Sequence, residues 1–404
     1  MLSRRTKLGA IAGATAGLTF LSLSAVAALV GPGGGTEAPA EARAAVEPPA
    51  PELRPRVVEP AAGGREAARP AREGRTAAPA SRRRTRRDGL GQLVITRMAG
   101  TYPSAALLAR VRQGKVGGVI LFGDNIRSTG QVAGAVRALQ AAARAGGRPR
   151  LLIAADQEGG QVKRFASMAP TVSAALTGSA AEAARQGAAS ATDLRGAGVN
   201  VNLAPVADVP TSGANFLAQT GRAYGTSPGR VADLACAFAE GTRGNGVVPT
   251  FKHFPGLGHA GANTDLSSVT IPAGAEALRS DLLPYRRCAG QGMVMMSNAA
   301  YPALGDAAPA VLSPAVVGGL LRGEIGFRGV VITDDLETPG VSRYPDAAVR
   351  AVNAGVDLLL YTKTEAASAA AHRALMAARR AGRLDPAAVR AALRRIRVLK
   401  RTLT

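Results

Sequence analysis

Tryptophan is absent from this chain, aromatic residues make up only 3% of it, and it holds three histidines and two cysteines. Each shortage excludes something. A basic surface interleaved with aromatics, the platform on which single-stranded nucleic acid stacks, has nothing to be built from. No Cys/His cluster has the ligand spacing of a zinc site, and no Gly-rich phosphate loop of the Walker type occurs. The net charge is +22, but arginine dominates the basic residues and the skew reads as coding bias. The charge therefore argues for anionic cell-surface polymers or membrane headgroups rather than nucleic acid. Cys236 and Cys288 each fall in an apparently helical stretch. Their sequence positions give no Cα–Cα distance, and they read as two isolated buried thiols.

Three regions follow one another along the 404 residues. Residues 1–31 open with Arg4-Arg5-Thr6-Lys7 and continue without charge from Leu8 past Gly31, with Ala25-Val26-Ala27 as a small-residue site. That is the plan of a secretory signal peptide, and the apolar run is also long enough to serve as a membrane anchor. Cleavage is the favoured reading, no Cys follows for a lipoprotein anchor, and the rest of the chain is expected outside the cytoplasm. Residues 32–88 are Pro, Ala, Glu and Arg with almost no large apolar side chains, closing on Ser81-Arg82-Arg83-Arg84-Thr85-Arg86-Arg87. Such a composition cannot offset the entropy of ordering, so a disordered linker is expected. Its arginine run suits a solvated tether or contact with an anionic cell-envelope polymer.

From residue 89 to 404 the pattern is regular. Apolar runs recur at Gln92–Thr96, Gly118–Phe122, Leu151–Ala155, Val199–Val206, Val247–Phe251, Met293–Met296, Val330–Thr333 and Leu358–Tyr361. Ala-rich stretches of helical period lie between them, among them Gln131–Ala145, Ala180–Ala197 and Val231–Gly244. Continuous rather than alternating apolar strands, separated by helices, imply a parallel sheet covered on both faces. Eight such repeats predict a (β/α)8 barrel; an open doubly wound sheet is disfavoured because no G-x-G-x-x-G follows the first strand. Arg379–Arg401 reads as one basic amphipathic helix that closes the barrel, with Val389, Leu393, Ile396 and Leu399 inward.

Polar residues collect where these runs end, which in a barrel is the rim that carries chemistry. Asp156 and Glu158 follow the third run, Asp208 the fourth, Lys252 and His253 the fifth, Ser297 and Asn298 the sixth, and Asp334 and Asp335 the seventh. Grouped carboxylates without a metal-ligand cluster suit reactions at a carbon centre, such as glycoside hydrolysis, and need no cofactor or metal. Lys252, His253 and Arg222 would hold hydroxyl or acyl groups through charge-assisted hydrogen bonds.

Six blocks in order also carry a resemblance. They are Gly118-Val119-Ile120-Leu121-Phe122, Asp156 through Arg164, Asn202 through Asp208, Gly221 through Gly225, Lys252-His253-Phe254-Pro255-Gly256-Leu257-Gly258, and Gly326 through Leu336. From about Gly89 to Leu403 the chain resembles glycoside hydrolase family 3, in its single-barrel β-N-acetylhexosaminidase (NagZ-like) branch. The resemblance implies that Asp334 is the nucleophile forming a covalent glycosyl-enzyme. It also implies that Asp156, Arg222, Lys252 and His253 bind the terminal sugar, with Arg164 nearby. Asp335 and Asp208 are expected to accept hydrogen bonds, and Glu158 to be structural.

One departure falls on the loop after the fifth strand. The branch carries an Asp-x-His pair whose His is the general acid/base; here the loop reads His259-Ala260-Gly261-Ala262-Asn263-Thr264-Asp265-Leu266-Ser267. Aligning the Asp with Asp265 puts Ser267 at the His position, and Ser is no useful proton donor near neutral pH. Counting without a gap puts Asp265 itself there. Asp265 is thus the favoured candidate acid/base and His259 the weaker one. The resemblance implies an exported, retaining exo-β-glycosidase releasing terminal N-acetylglucosamine from β-linked wall or chitin-type oligosaccharides. Another sugar specificity within the family, and a carbohydrate-binding barrel lacking its acid/base, are the alternatives. A monomer is expected.

Overall fold

Eight apolar runs become eight parallel strands in the computed structural model, which describes residues 89–403. The leader and linker expected over residues 1–88 lie outside the described residues. The strands are β1 (Val94–Arg97), β2 (Gly118–Leu121), β3 (Leu152–Ala155), β4 (Val201–Asn202), β5 (Val248–Phe254), β6 (Met293–Met296), β7 (Val331–Asp335) and β8 (Leu358–Tyr361). Each pairs with its neighbours in sequence, and β1 pairs with β8 to close the barrel. This is the (β/α)8 architecture that the repeat pattern predicts. No helix among the described residues is long and apolar enough to cross a membrane.

Continuous apolar runs are required because both strand faces are covered. Every residue of β2, β3, β6 and β8 is buried, by the barrel interior on one side and by helices on the other. β4 is shorter than its apolar run. It ends at Asn202, but the carbonyls of Ala204 and Pro205 still accept from the N–H groups of Thr250 and Lys252 in β5, and a bridge joins Val206 to Lys252.

Several helices begin where a side chain can take up a free N–H. Ser128, Ser179, Thr364 and Asp385 each accept from the backbone two or three residues on. The last of these corrects one expectation. Arg379–Arg401 is not a single helix: one helix ends at Arg380, Gly382 turns the chain at φ +71°, and a new one runs Pro386–Arg401 with Asp385 as its cap. Proline at the first helical position, preceded by a capping acid, is a start signal and not an interior.

The cysteines are a second correction. They are bridged, with Cα atoms 5.5 Å apart, and the bridge ties the helix Pro228–Gly244 to the helix Leu283–Cys288. Packing of these two helices against each other brings the thiols together across 52 residues. Replacing both with Ala should lower stability by about 2–4 kcal/mol. Urea unfolding of the variant and the wild type without reductant measures this.

Candidate active site

A cavity of about 270 Å³ opens at the C-terminal rim of the strands. It lies at the lower end of small-molecule sites, in keeping with one ring and its substituents. Ile120, Leu203, Met295 and Leu360 contribute an apolar floor, and Asp156, Arg164, Arg222, Lys252, His253, Asp265 and Asp334 all face into it. Residues spread over more than half the described chain meet here because each sits at or just beyond the end of a strand.

One wall is a chain of ion pairs. Lys252 Nζ lies 2.7 Å from Asp156 Oδ1 and 2.7 Å from Glu158 Oε1. Arg222 grips both oxygens of Glu158, with Nε and Nη2 each at 2.8 Å, while Arg164 Nη2 reaches Asp156 Oδ2 at 3.3 Å. Burial would raise the carboxyls of Asp156 and Glu158, but the cations beside them prevail and hold both below the usual range. Burial works equally against the charged Lys252, and the two carboxylates outweigh it. The wall is thus fixed in its ionised form and pre-organised to donate to neutral hydroxyl and acyl oxygens. Glu158, read from the sequence as structural, does its part by holding Lys252 and Arg222.

His253 is oriented from behind. Its Nδ1 lies 2.7 Å from Asp208 Oδ2, and Asp208 Oδ1 accepts the backbone N–H groups of His253 (3.1 Å) and Leu257 (2.7 Å). An Nδ1–H donated to this carboxylate leaves Nε2 for the cavity. Asp208 binds strand tip and loop together, as its position at the rim suggested. Gly258 permits the closeness: a Cβ there would lie 1.8 Å from the carbonyl oxygen of Val209.

Asp334 has different surroundings. Its Oδ1 accepts from the N–H of Asp335 at 2.8 Å, and among the described residues no cation is paired with it. Burial pushes its carboxyl up to about 6; His253 and Lys252 pull the other way, and the charge of Asp265 adds to the rise. Asp335 also lines the cavity, but its oxygens are already engaged, accepting from Thr362 Oγ1 at 2.6 Å and from the N–H of Glu337 at 3.1 Å.

The loop after β5 separates the two acid/base candidates. Asp265 is exposed on the cavity rim beside Asn263 and Thr264. His259 is not among the residues lining the cavity; its Nε2 lies 3.4 Å from Asp281 Oδ2. Burial lowers the His259 imidazole and raises the Asp281 carboxyl to about 7. Asn215 fastens the same part of the loop, donating to the carbonyls of Leu257, Gly258 and Ala260, each at 3.1 Å. Neither Asn215 nor Asp281 was legible as a partner of this loop. Phe122 is flanked by Arg97 and Arg164 at 5.2 and 5.0 Å, a pairing that the sequence block containing it does not announce. Thr362 stands just past β8, where the strand-end rule would have found it.

Known proteins resemble this chain in sequence and in fold. The N-terminal domain of glycosyl hydrolase family 3 matches residues 85–399. An uncharacterized secreted glycosyl hydrolase of Arthroderma benhamiae is 34% identical over 328 residues, which cover 78% of this chain and 93% of that protein. A β-hexosaminidase of Pseudomonas aeruginosa is 38% identical over 298 residues, covering 70% and 86%. Among solved structures, a family 3 β-N-acetylglucosaminidase from Paenibacillus superposes with a TM-score of 0.75 at 34% identity. That match takes in 79% of this chain but 62% of the other, less than two thirds of its length. A β-N-acetylhexosaminidase from Beutenbergia cavernae gives 0.69 at 32% identity, covering 77% and 97%.

Proposed function

Belonging to glycoside hydrolase family 3, the chain is a glycoside hydrolase, and we propose that it is an exported, retaining exo-β-N-acetylhexosaminidase. The observation that carries the proposal is the division of the cavity. On one side are hydrogen-bond donors locked in ion pairs; on the other, Asp334 has no cation paired with it and Asp265 stands at the mouth. In the form with Asp334 ionised and the proton on Asp265, an Asp334 oxygen attacks the anomeric carbon while Asp265 gives that proton to the departing glycosidic oxygen. In the second, Asp265 takes a proton from water as the water's oxygen displaces Asp334. Asp156, Lys252, Arg222 and His253 hold the hydroxyls of the terminal ring, and Arg164 flanks them.

Terminal N-acetylglucosamine on wall or chitin-type oligosaccharides is the proposed substrate, supported by the names of the Pseudomonas, Paenibacillus and Beutenbergia relatives. Export is supported by the basic and then apolar start of the sequence, by the Cys236–Cys288 bridge, and by the Arthroderma relative's description as secreted. Whether cleaved or retained, that leader would be followed by a linker whose arginine run suits an anionic envelope polymer.

A panel of p-nitrophenyl glycosides tests the reading. The N-acetyl-β-glucosaminide should be turned over at least about 100-fold faster than the β-glucoside or β-xyloside, since buried donors left unpaired are costly. A preference for either of those would move the specificity elsewhere in the family. Because Asp334 must be ionised to attack, kcat/KM should fall as pH drops through about 6. A profile still flat at pH 4.5 would separate the reaction from that carboxylate.

A further inference from the structure

A second cavity, of about 380 Å³, lies at the opposite rim, between the N-terminal ends of the first strands and the helix Pro386–Arg401. Arg148, Arg397 and Lys400 line it together with Gln92 and Leu393, and none of the described residues lining it is Asp or Glu. Lys400 is 7% exposed, and its Nζ donates to Gln92 Oε1 at 2.8 Å and to the Gly117 carbonyl at 2.7 Å. Both acceptors are neutral. An ammonium has three N–H groups, so one is left over. Arg148 spends its Nε on the Arg112 carbonyl at 3.1 Å, and Arg397 is exposed.

The contrast with Lys252 is instructive. Both lysines are buried, but Lys252 has two carboxylates against it, whereas burial without a counter-charge pulls Lys400 down to about 7. A buried ammonium that lines one cavity with two guanidinium groups lacks, among the described residues, a counter-charge that a ligand would bring. We propose that this cavity binds a phosphate group. Two planar guanidinium forks and one point-like ammonium match the several oxygens of a phosphate, which can be gripped from more than one side. The phosphate is either free or the headgroup of an anionic lipid. Arg390, Arg394, Arg397 and Arg401 form a line of exposed arginines along the outer face of the same helix, and exposed Val398 lies beside it. A surface bearing many phosphates would meet all of them at once.

The site stands apart from the sugar cavity, so its test is independent of the hydrolase reading. Isothermal titration of the full chain with sodium phosphate, at chloride-matched ionic strength, should give saturable binding. Arg148→Gln and Arg397→Gln should each weaken it about 10-fold, while leaving the melting temperature in chloride and the hydrolysis of an aryl glycoside unchanged. Co-sedimentation with phosphatidylglycerol–phosphatidylcholine vesicles, against phosphatidylcholine alone, distinguishes the sources. Vesicle binding lost in the same variants assigns the phosphate to a headgroup; phosphate binding without vesicle binding assigns it to a soluble ion. No saturable phosphate binding, or binding unchanged in both variants, overturns the proposal.

Discussion

Asp334→Ala abolishes release of p-nitrophenol from the N-acetyl-β-glucosaminide, with kcat/KM falling about 10⁴-fold or more, if Asp334 is the group that bonds to the anomeric carbon. A companion variant separates chemistry from folding. The folded protein holds the Asp334 carboxyl above its ordinary value, so ionising it disfavours the native state. Stability from this group is full below the unfolded pKa and declines as pH rises through about 6. Asp334→Asn therefore raises the melting temperature at pH 7 and changes it little at pH 4. An inactive and less stable Asn variant at pH 7 would mean that the residue is structural. Trapping with a fluoroglycoside should label the peptide containing Asp334; turnover retained by the Ala variant would refute the assignment.

The second large effect belongs to the loop after β5. Asp265→Ala should lower kcat/KM by about 10²–10⁴-fold on a disaccharide, whose leaving group needs a proton. An aryl glycoside with a good leaving group should lose far less. His259→Ala should stay within a few-fold of wild type on both, because its ring faces Asp281 and not the cavity. If His259→Ala carries the leaving-group-dependent loss instead, the loop must rearrange to bring the imidazole in. If neither variant does, and the disaccharide is not cleaved by the wild type, the chain is a sugar-binding barrel without an acid.

The barrel was legible because burial on both faces forces unbroken apolar runs, and eight of these are hard to mistake. The wall residues were legible because strand ends are where a barrel displays polar groups. Asp156, Lys252, His253 and Asp334 lie at such ends. What could not be read were contacts made by packing. The bridge between Cys236 and Cys288 depends on two helices lying side by side. Asp281, the last residue of the helix Ala275–Asp281, meets His259, and Asn215 meets the Leu257–Ala260 carbonyls, only through tertiary packing. The break before Pro386 is of another kind, since Gly382, Asp385 and Pro386 announce it.

The attachment of the loop by Asn215 at one end only has a wider consequence. Leu257 to Ala260 is clamped, whereas Asp265 and Leu266 protrude into solvent. If Asp265 delivers the proton as proposed, substitutions in the protruding half can exchange one proton-delivering group for another without disturbing the clamped half. On the proposed assignment the barrel keeps recognition and protonation on separately replaceable parts, and a lineage can rewrite the latter while inheriting the former intact.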